Sequence, residues 1–168
     1  MKKLLTIFLT LLTLLSYSQT KLDMELFNVI NNYRVSSGLE KLVWSQESFM
    51  VSKKHNEYMV TAPHYGHNQP IDIPNHKELQ TPGQRLTDAN IWWNGVGENI
   101  CYTPYSDSSL VFMATKVLRS WVASPGHNRL LINKSMKFGS VSTSLVATKR
   151  YSYSTIVGGC YSTFNAFR

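Results

Sequence analysis

Two cysteines in 168 residues exclude a scaffold stapled by several disulfides, and six prolines with nine glycines exclude a collagen-like or low-complexity chain. Acidic residues are scarce, ten Asp and Glu against seventeen Lys and Arg. The positive excess is nevertheless scattered: Lys53-Lys54 falls on a predicted helix and Lys149-Arg150 at a predicted hairpin turn, with no aromatics interleaved. A single-stranded nucleic-acid platform needs that interleaving, so the expectation is a solvated basic face and no nucleic-acid partner. Beyond Leu15 no apolar run approaches the ~20 residues of a membrane span. Absent too are a His-Glu-x-x-His helix, a Gly-x-Ser-x-Gly elbow and a glycine-rich phosphate loop after a strand, which removes the commonest enzyme signatures.

What is there begins with a leader. Lys2 and Lys3 precede the apolar run Leu4–Leu15, which ends in Ser16-Tyr17-Ser18. A positive start, a short hydrophobic middle and small residues before the cut are what signal peptidase reads. The expectation is a signal peptide over 1–18, cleavage near Ser18, and a secreted or periplasmic domain over 19–168 with no transmembrane segment left. Cleavage removes two basic residues and no acidic one, lowering the formal charge from +7 to +5. About 150 residues suffice for one domain with its own core. An even cysteine count in an oxidising compartment favours a Cys101–Cys160 disulfide; the alternative is a thiolate nucleophile beside a histidine.

Along the chain helices come first. Leu26, Val29, Ile30 and Tyr33 repeat at helical spacing from Leu22, closed by Gly38 as a left-handed cap. Ser45 caps a second helix running to about Val60, which buries Val51, His55, Tyr58 and Met59, with His55 a core histidine. Residues 61–80, with Pro63, Gly66, Pro70 and Pro74, predict an ordered loop. Thr81-Pro82-Gly83-Gln84 predicts a capping box, with Leu86 pointing into the core. Leu110, Met113, Ala114, Val117, Leu118 and Trp121 predict the clearest helix, capped by Ser106 or Asp107; Ser124-Pro125 opens a short one with His127 in its first turn. Phe138–Val146, a turn near Thr148-Lys149 and Tyr151–Phe164 predict an antiparallel pair. Helices on a small antiparallel sheet give an α+β layered domain.

These residues carry a pattern. Asn31-Asn32-Tyr33-Arg34 with Gly38-Leu39-Glu40-Lys41-Leu42 and Trp44, then His67, Thr81-Pro82-Gly83-Gln84-Arg85-Leu86, Gly97-Glu98-Asn99-Ile100, Trp121 with Ser124-Pro125-Gly126-His127-Asn128, and Phe138-Gly139 follow one another in order. Each alone is weak; the order and spacing are specific. The chain resembles the CAP superfamily of cysteine-rich secretory proteins, venom allergens and pathogenesis-related proteins in its bacterial, SCP-like form, over nearly all of its exported length.

The resemblance implies a three-layer α-β-α sandwich with a cavity built by two histidines and acidic partners. By position the histidines are His67 and His127 and the acid is Glu98, with Asn99 and Ser124 at the lining. Ser124 stands where animal and plant relatives carry a second acid, which puts a four-ligand metal site in doubt. Two imidazoles and a carboxylate are a recurrent ligand set for zinc and other divalent metals. His64, outside the pattern, is a further candidate for the lining; His76 has no assignment. The resemblance points to a binding or interaction module for a divalent metal (zinc first), a small apolar ligand or lipid, or another protein, expected as a monomer. The alternatives are a metal-dependent, protease-like hydrolase with His67, Glu98 and His127 as its candidate catalytic groups, and a purely structural polar network. The Trp92-Trp93 pair is either a ligand wall or ordinary packing.

Overall fold

The structure is a computed structural model and describes residues 18–61, 65–68, 81–104, 109–151 and 154–168. Residues 1–17, and with them most of the expected leader, lie outside the described residues, as do His64 and His76.

Helix α1 spans Lys21–Ser36. Thr20 and Asp23 form a reciprocal capping box at its start, and Gly38 closes the far end at φ +76°, a conformation that glycine adopts without a Cβ penalty. Strand β1 is the two-residue Val43–Trp44, and α2 follows over Gln46–Thr61, its first turn capped by the Ser45 hydroxyl accepting from the Ser48 amide at 3.1 Å. The short α3, Pro82–Asp88, starts with the expected Thr81–Gln84 capping box, and Leu86 is fully buried.

Val96–Pro104 forms strand β2, an element the sequence pattern did not foresee. Helix α4 spans Leu110–Val122 and is capped by Ser109, not by the expected Ser106 or Asp107. Its Met113, Ala114, Val117 and Trp121 are buried as the apolar spacing requires, whereas Leu110 is exposed. Helix α5, Pro125–Leu131, begins at Ser124, whose side chain makes no capping bond. Strands β3, Phe138–Tyr151, and β4, Ser154–Phe167, form a hairpin longer than expected, with Thr148 and Lys149 still paired inside the ladder.

The sheet order is β1-β3-β4-β2. It is mixed and not purely antiparallel, because Val43 and Trp44 run parallel to β3 at Phe138 and Gly139. One face packs on α1, α4 and α5 through Leu26, Ile30, Trp121, Leu131, Val141 and Phe164. The other lies under α2 and α3, with Met59 on Ile100 and Leu86 on Phe167. Three layers result, the α+β sandwich expected from the pattern. Strand β2 is an edge, so residues near its start reach both helical layers at once.

Candidate functional site

Glu98 is the third residue of β2, and its side chain turns toward the α2 and α3 layer while Asn99 turns the opposite way, as alternation along a strand demands. The carboxylate is 1 % exposed yet fully partnered. Arg85 on α3 donates to Oε2 at 2.5 Å, His67 Nδ1 lies 3.1 Å from Oε1, and His55 Nε2 of α2 lies 3.6 Å from the same oxygen. Burial by itself pushes the Glu98 carboxyl up; the His67 hydrogen bond, the Arg85 charge and hydrogen bond, and the nearby His55 outweigh that and hold it below its ordinary value. Glu98 is therefore an ionised buried group.

The same residues pin the segment that carries His67. Arg85 donates a second bond to the His67 carbonyl at 2.9 Å, and His55 Nε2 lies 3.1 Å from the Gly66 carbonyl. Both neighbours of His55 Nε2 are acceptors, so that nitrogen carries the proton. Burial drives the His55 pKa down to about 4, against the opposing pull of Glu98. The ring is neutral near pH 7.

In the neutral His67 ring, Nδ1–H donates to Glu98, which leaves the Nε2 lone pair uncommitted by this contact. The side chain is 46 % exposed and borders a cleft of about 390 Å³, walled by Pro82, Trp93, Val96 and Gly97 with Glu98 at its base. Trp93 is set in this wall by its indole N–H donating to Thr87 Oγ1 at 3.2 Å; Trp92 is exposed and is not part of it. A side chain at Gly97 would run into Leu130 of α5, so glycine is what lets α5 close onto β2 beside Glu98.

His127 reaches this region from the other layer. Asn99 Nδ2 donates to its carbonyl at 3.0 Å, and Tyr33 of α1 donates to Asn128 Oδ1 at 2.9 Å. Partial burial first, then the charge of His67, lowers the His127 pKa, so the two imidazoles feel one another. His127 does not line the cleft that holds His67 and Glu98. Among the described residues no three His, Cys, Asp or Glu side chains are grouped to hold a metal ion. The Glu98 side chain faces the α2 and α3 layer whereas His127 belongs to α5 on the other side of the sheet, and both Glu98 oxygens are taken by protein donors.

The two cysteines are buried thiols not joined to one another, in contrast to the expected disulfide. Cys101 pairs across the ladder with Ser162, and Cys160 with Thr103, so the two are offset diagonally by two residues. Diagonal neighbours lie ~7–8 Å apart, beyond the ~4.4–6.8 Å Cα separation that a disulfide spans. Burial raises both pKa values, that of Cys160 to about 11, which disfavours a thiolate nucleophile at either.

Arg85 and His55 are the site residues that sequence reasoning missed. Arg85 lies thirteen residues before Glu98 on a different element, and nothing in that spacing signals their pairing. His55 is the fully buried core residue expected, and nothing in its spacing signalled contact with a carboxylate.

Residues 27–161 match the profile of the cysteine-rich secretory protein family, CAP, and the chain belongs to that family. An extracellular protein containing an SCP domain from Bacillus anthracis is similar in structure, with TM-score 0.66 and 24 % identity over 88 % of this chain. The chain spans 40 % of the length of that protein. An outer surface protein from Borrelia burgdorferi is similar at TM-score 0.61 and 18 % identity, covering 90 % of this chain and 96 % of its own. NaASP2, crystallised with Zn2+, is similar at TM-score 0.55 and 12 % identity, over 88 % of this chain and 80 % of its own. No curated protein sequence matches the chain at a significant level.

Proposed function

We propose that the protein is an exported CAP-domain binding module whose His67 and His127 imidazoles take a divalent metal, zinc first, beside an apolar wall that accepts a small apolar ligand. The carrying observation is the Glu98–His67 contact: a buried, ionised carboxylate orients the ring through Nδ1 and leaves Nε2 as the donor. A carboxylate behind a ligating histidine fixes its tautomer and raises its basicity. Burial and, after it, His67 lower the His127 pKa, so the two rings lie within electrostatic reach of one another, and neutral imidazoles are what a divalent metal takes. The site would then be two imidazoles completed by solvent. Glu98 then acts through His67 and not as a third ligand. The metal would polarise a bound water or carbonyl group; His67 and His127 would hold it and Glu98 would set the His67 ring.

Binding is favoured over hydrolysis because a general base must reach the reacting water, and the Glu98 carboxylate is 1 % exposed, with Arg85 and His67 on its two oxygens. Export is supported by the leader pattern and by relatives described as extracellular or outer-surface proteins.

The test is the melting temperature of residues 19–168 with chelator and then with zinc, calcium or magnesium. A hundredfold excess of zinc over Kd should stabilise by about 2.7 kcal/mol, a rise of roughly 5–10 °C. His67→Ala and His127→Ala should each abolish the rise. A rise that survives both changes, or no rise with any ion, sinks the metal reading; native mass spectrometry for a retained apolar ligand would then decide what the cleft holds.

A further inference from the structure

Helix α4 turns two unlike faces outward and inward. Met113, Ala114, Val117 and Trp121 are buried against the sheet, while Val111, Phe112, Thr115, Lys116 and Arg119 fall on one continuous arc of the opposite side. Its first turn leaves three consecutive large hydrophobics in solvent: Leu110 at 43 %, Val111 at 55 % and Phe112 at 52 % exposed. Val111, Phe112, Lys116 and Arg119 border one open depression. The helix carries no Asp or Glu. Lys116 Nζ donates to the Pro104 carbonyl at 3.2 Å, which holds its charge beside the far end of β2.

A scattered exposed hydrophobe needs no explanation; three in succession at a helix end, backed by two cations on the same face, do. Apolar groups at a helix end enter the boundary between head groups and acyl chains, and Lys or Arg nearby meets lipid phosphate. A protein partner is the poorer occupant, because a stable interface engages ~20–30 residues a side and this patch is a handful of side chains on one helix. Placement agrees with that: from Glu98 to Pro104 strand β2 runs for six residues, about 20 Å, so the patch and the cleft lie at opposite ends of the strand.

We propose that the α4 face formed by Val111, Phe112, Lys116 and Arg119 docks the protein on an anionic lipid bilayer, with the two apolar side chains entering the head-group region and the two cations meeting lipid phosphates. The cleft then stays open to solution. Nothing in this assignment depends on what the cleft binds.

Co-sedimentation with vesicles of mixed phosphatidylglycerol and phosphatidylcholine tests it. The protein should bind these vesicles, release them as salt rises, and ignore phosphatidylcholine alone. Lys116→Gln with Arg119→Gln should weaken binding about thirtyfold, and Phe112→Ser about tenfold, with unchanged melting temperatures. Neutralising the exposed Lys134 and Lys137, which belong to the α5–β3 connection and not to α4, should leave binding within about twofold. No binding to anionic vesicles, equal loss in the Lys134 and Lys137 variant, or indifference to Phe112→Ser overturns the proposal. Equal affinity of wild type and Phe112→Ser for soluble polyglutamate, with vesicles ignored, would assign the patch to an acidic polypeptide and overturn it as well.

Discussion

The two faces of the sheet differ in how their centres are filled. Toward α1 and α4 the strands present Val141, Phe164 and Ala166 to Leu26, Ile30, Met113 and Trp121, an ordinary apolar core. Toward α2 the neighbouring residues Ser140, Thr163 and Asn165 are just as buried but polar. They meet Ser48, Ser52 and Asn56 of the helix: Ser140 lies 2.9 Å from Ser48 and 3.1 Å from Ser52, Asn165 donates to Ser52 at 2.9 Å, and Thr163 donates to Asn56 at 2.6 Å. An apolar layer gains from area and tolerates repacking, whereas a buried polar layer requires each partner in place. Glu98 stands in the ladder row of Asn165 and Ser140, on the polar face. An ionised carboxylate is tolerable there because donors are already arranged.

The sharpest way to break the contrast is to remove one donor from the polar layer's charged end. Arg85→Met leaves Glu98 buried beside two histidines, and loss of one partner of a buried pair costs about 3–5 kcal/mol. Urea unfolding should register that loss, and adding Glu98→Gln should restore part of it. An Arg85→Met protein as stable as wild type would mean that Glu98 is not held as an anion.

Acid should act strongly on this face. The folded His55 pKa of about 4 lies below its unfolded value near 6.5, so the unfolded chain takes up the proton first. The stability from neutral His55 is complete above pH 6.5 and is lost as pH falls toward 4, on the order of 3 kcal/mol. Glu98, also held below its ordinary value, contributes stability that fades in the same direction. His55→Phe should flatten the fall in urea midpoint between pH 7 and pH 5; an unchanged slope in that variant would place the acid sensitivity elsewhere.

Adjacent positions 140 and 141 compare the layers directly. Ser140→Ala strands the Ser48 hydroxyl and leaves Ser52 with only its bond from Asn165, and should cost roughly 1–3 kcal/mol. Val141→Ile on the apolar face adds one methylene against repackable neighbours and should cost less, about 1 kcal/mol. The reverse order would erase the distinction.

The same contrast explains what was legible in the sequence. Helix caps were, because Thr81 with Gln84 and Ser45 act on their own first turns. So was the apolar stripe of α4. Strand β2 was not: both of its faces are covered, so Glu98, Asn99, Ile100 and Cys101 are all buried and no alternation marks the strand. A buried polar layer hides equally well, since Ser140, Ser142 and Thr163 look in sequence like a solvated face. His67, Glu98 and His127 were named only through the family pattern. The partners that fix Glu98 come from two helices and required the fold.

The smallest expected effect concerns the thiols, which sit on the apolar face where nothing needs them charged. Each Sγ lies 3.5 Å from a hydroxyl, Cys101 from Thr103 and Cys160 from Ser162, and both are buried. A thiol reacts as its anion, and burial has raised both pKa values. An aromatic disulfide reagent should therefore find almost no thiol in the native protein at pH 8 and two after unfolding in guanidinium. Two reactive thiols in the native state would mean that the β2–β4 edge opens readily. None even after unfolding would mean that the strands shift by enough to join Cys101 to Cys160 on export, and the diagonal register between them would then be a property of the reduced chain.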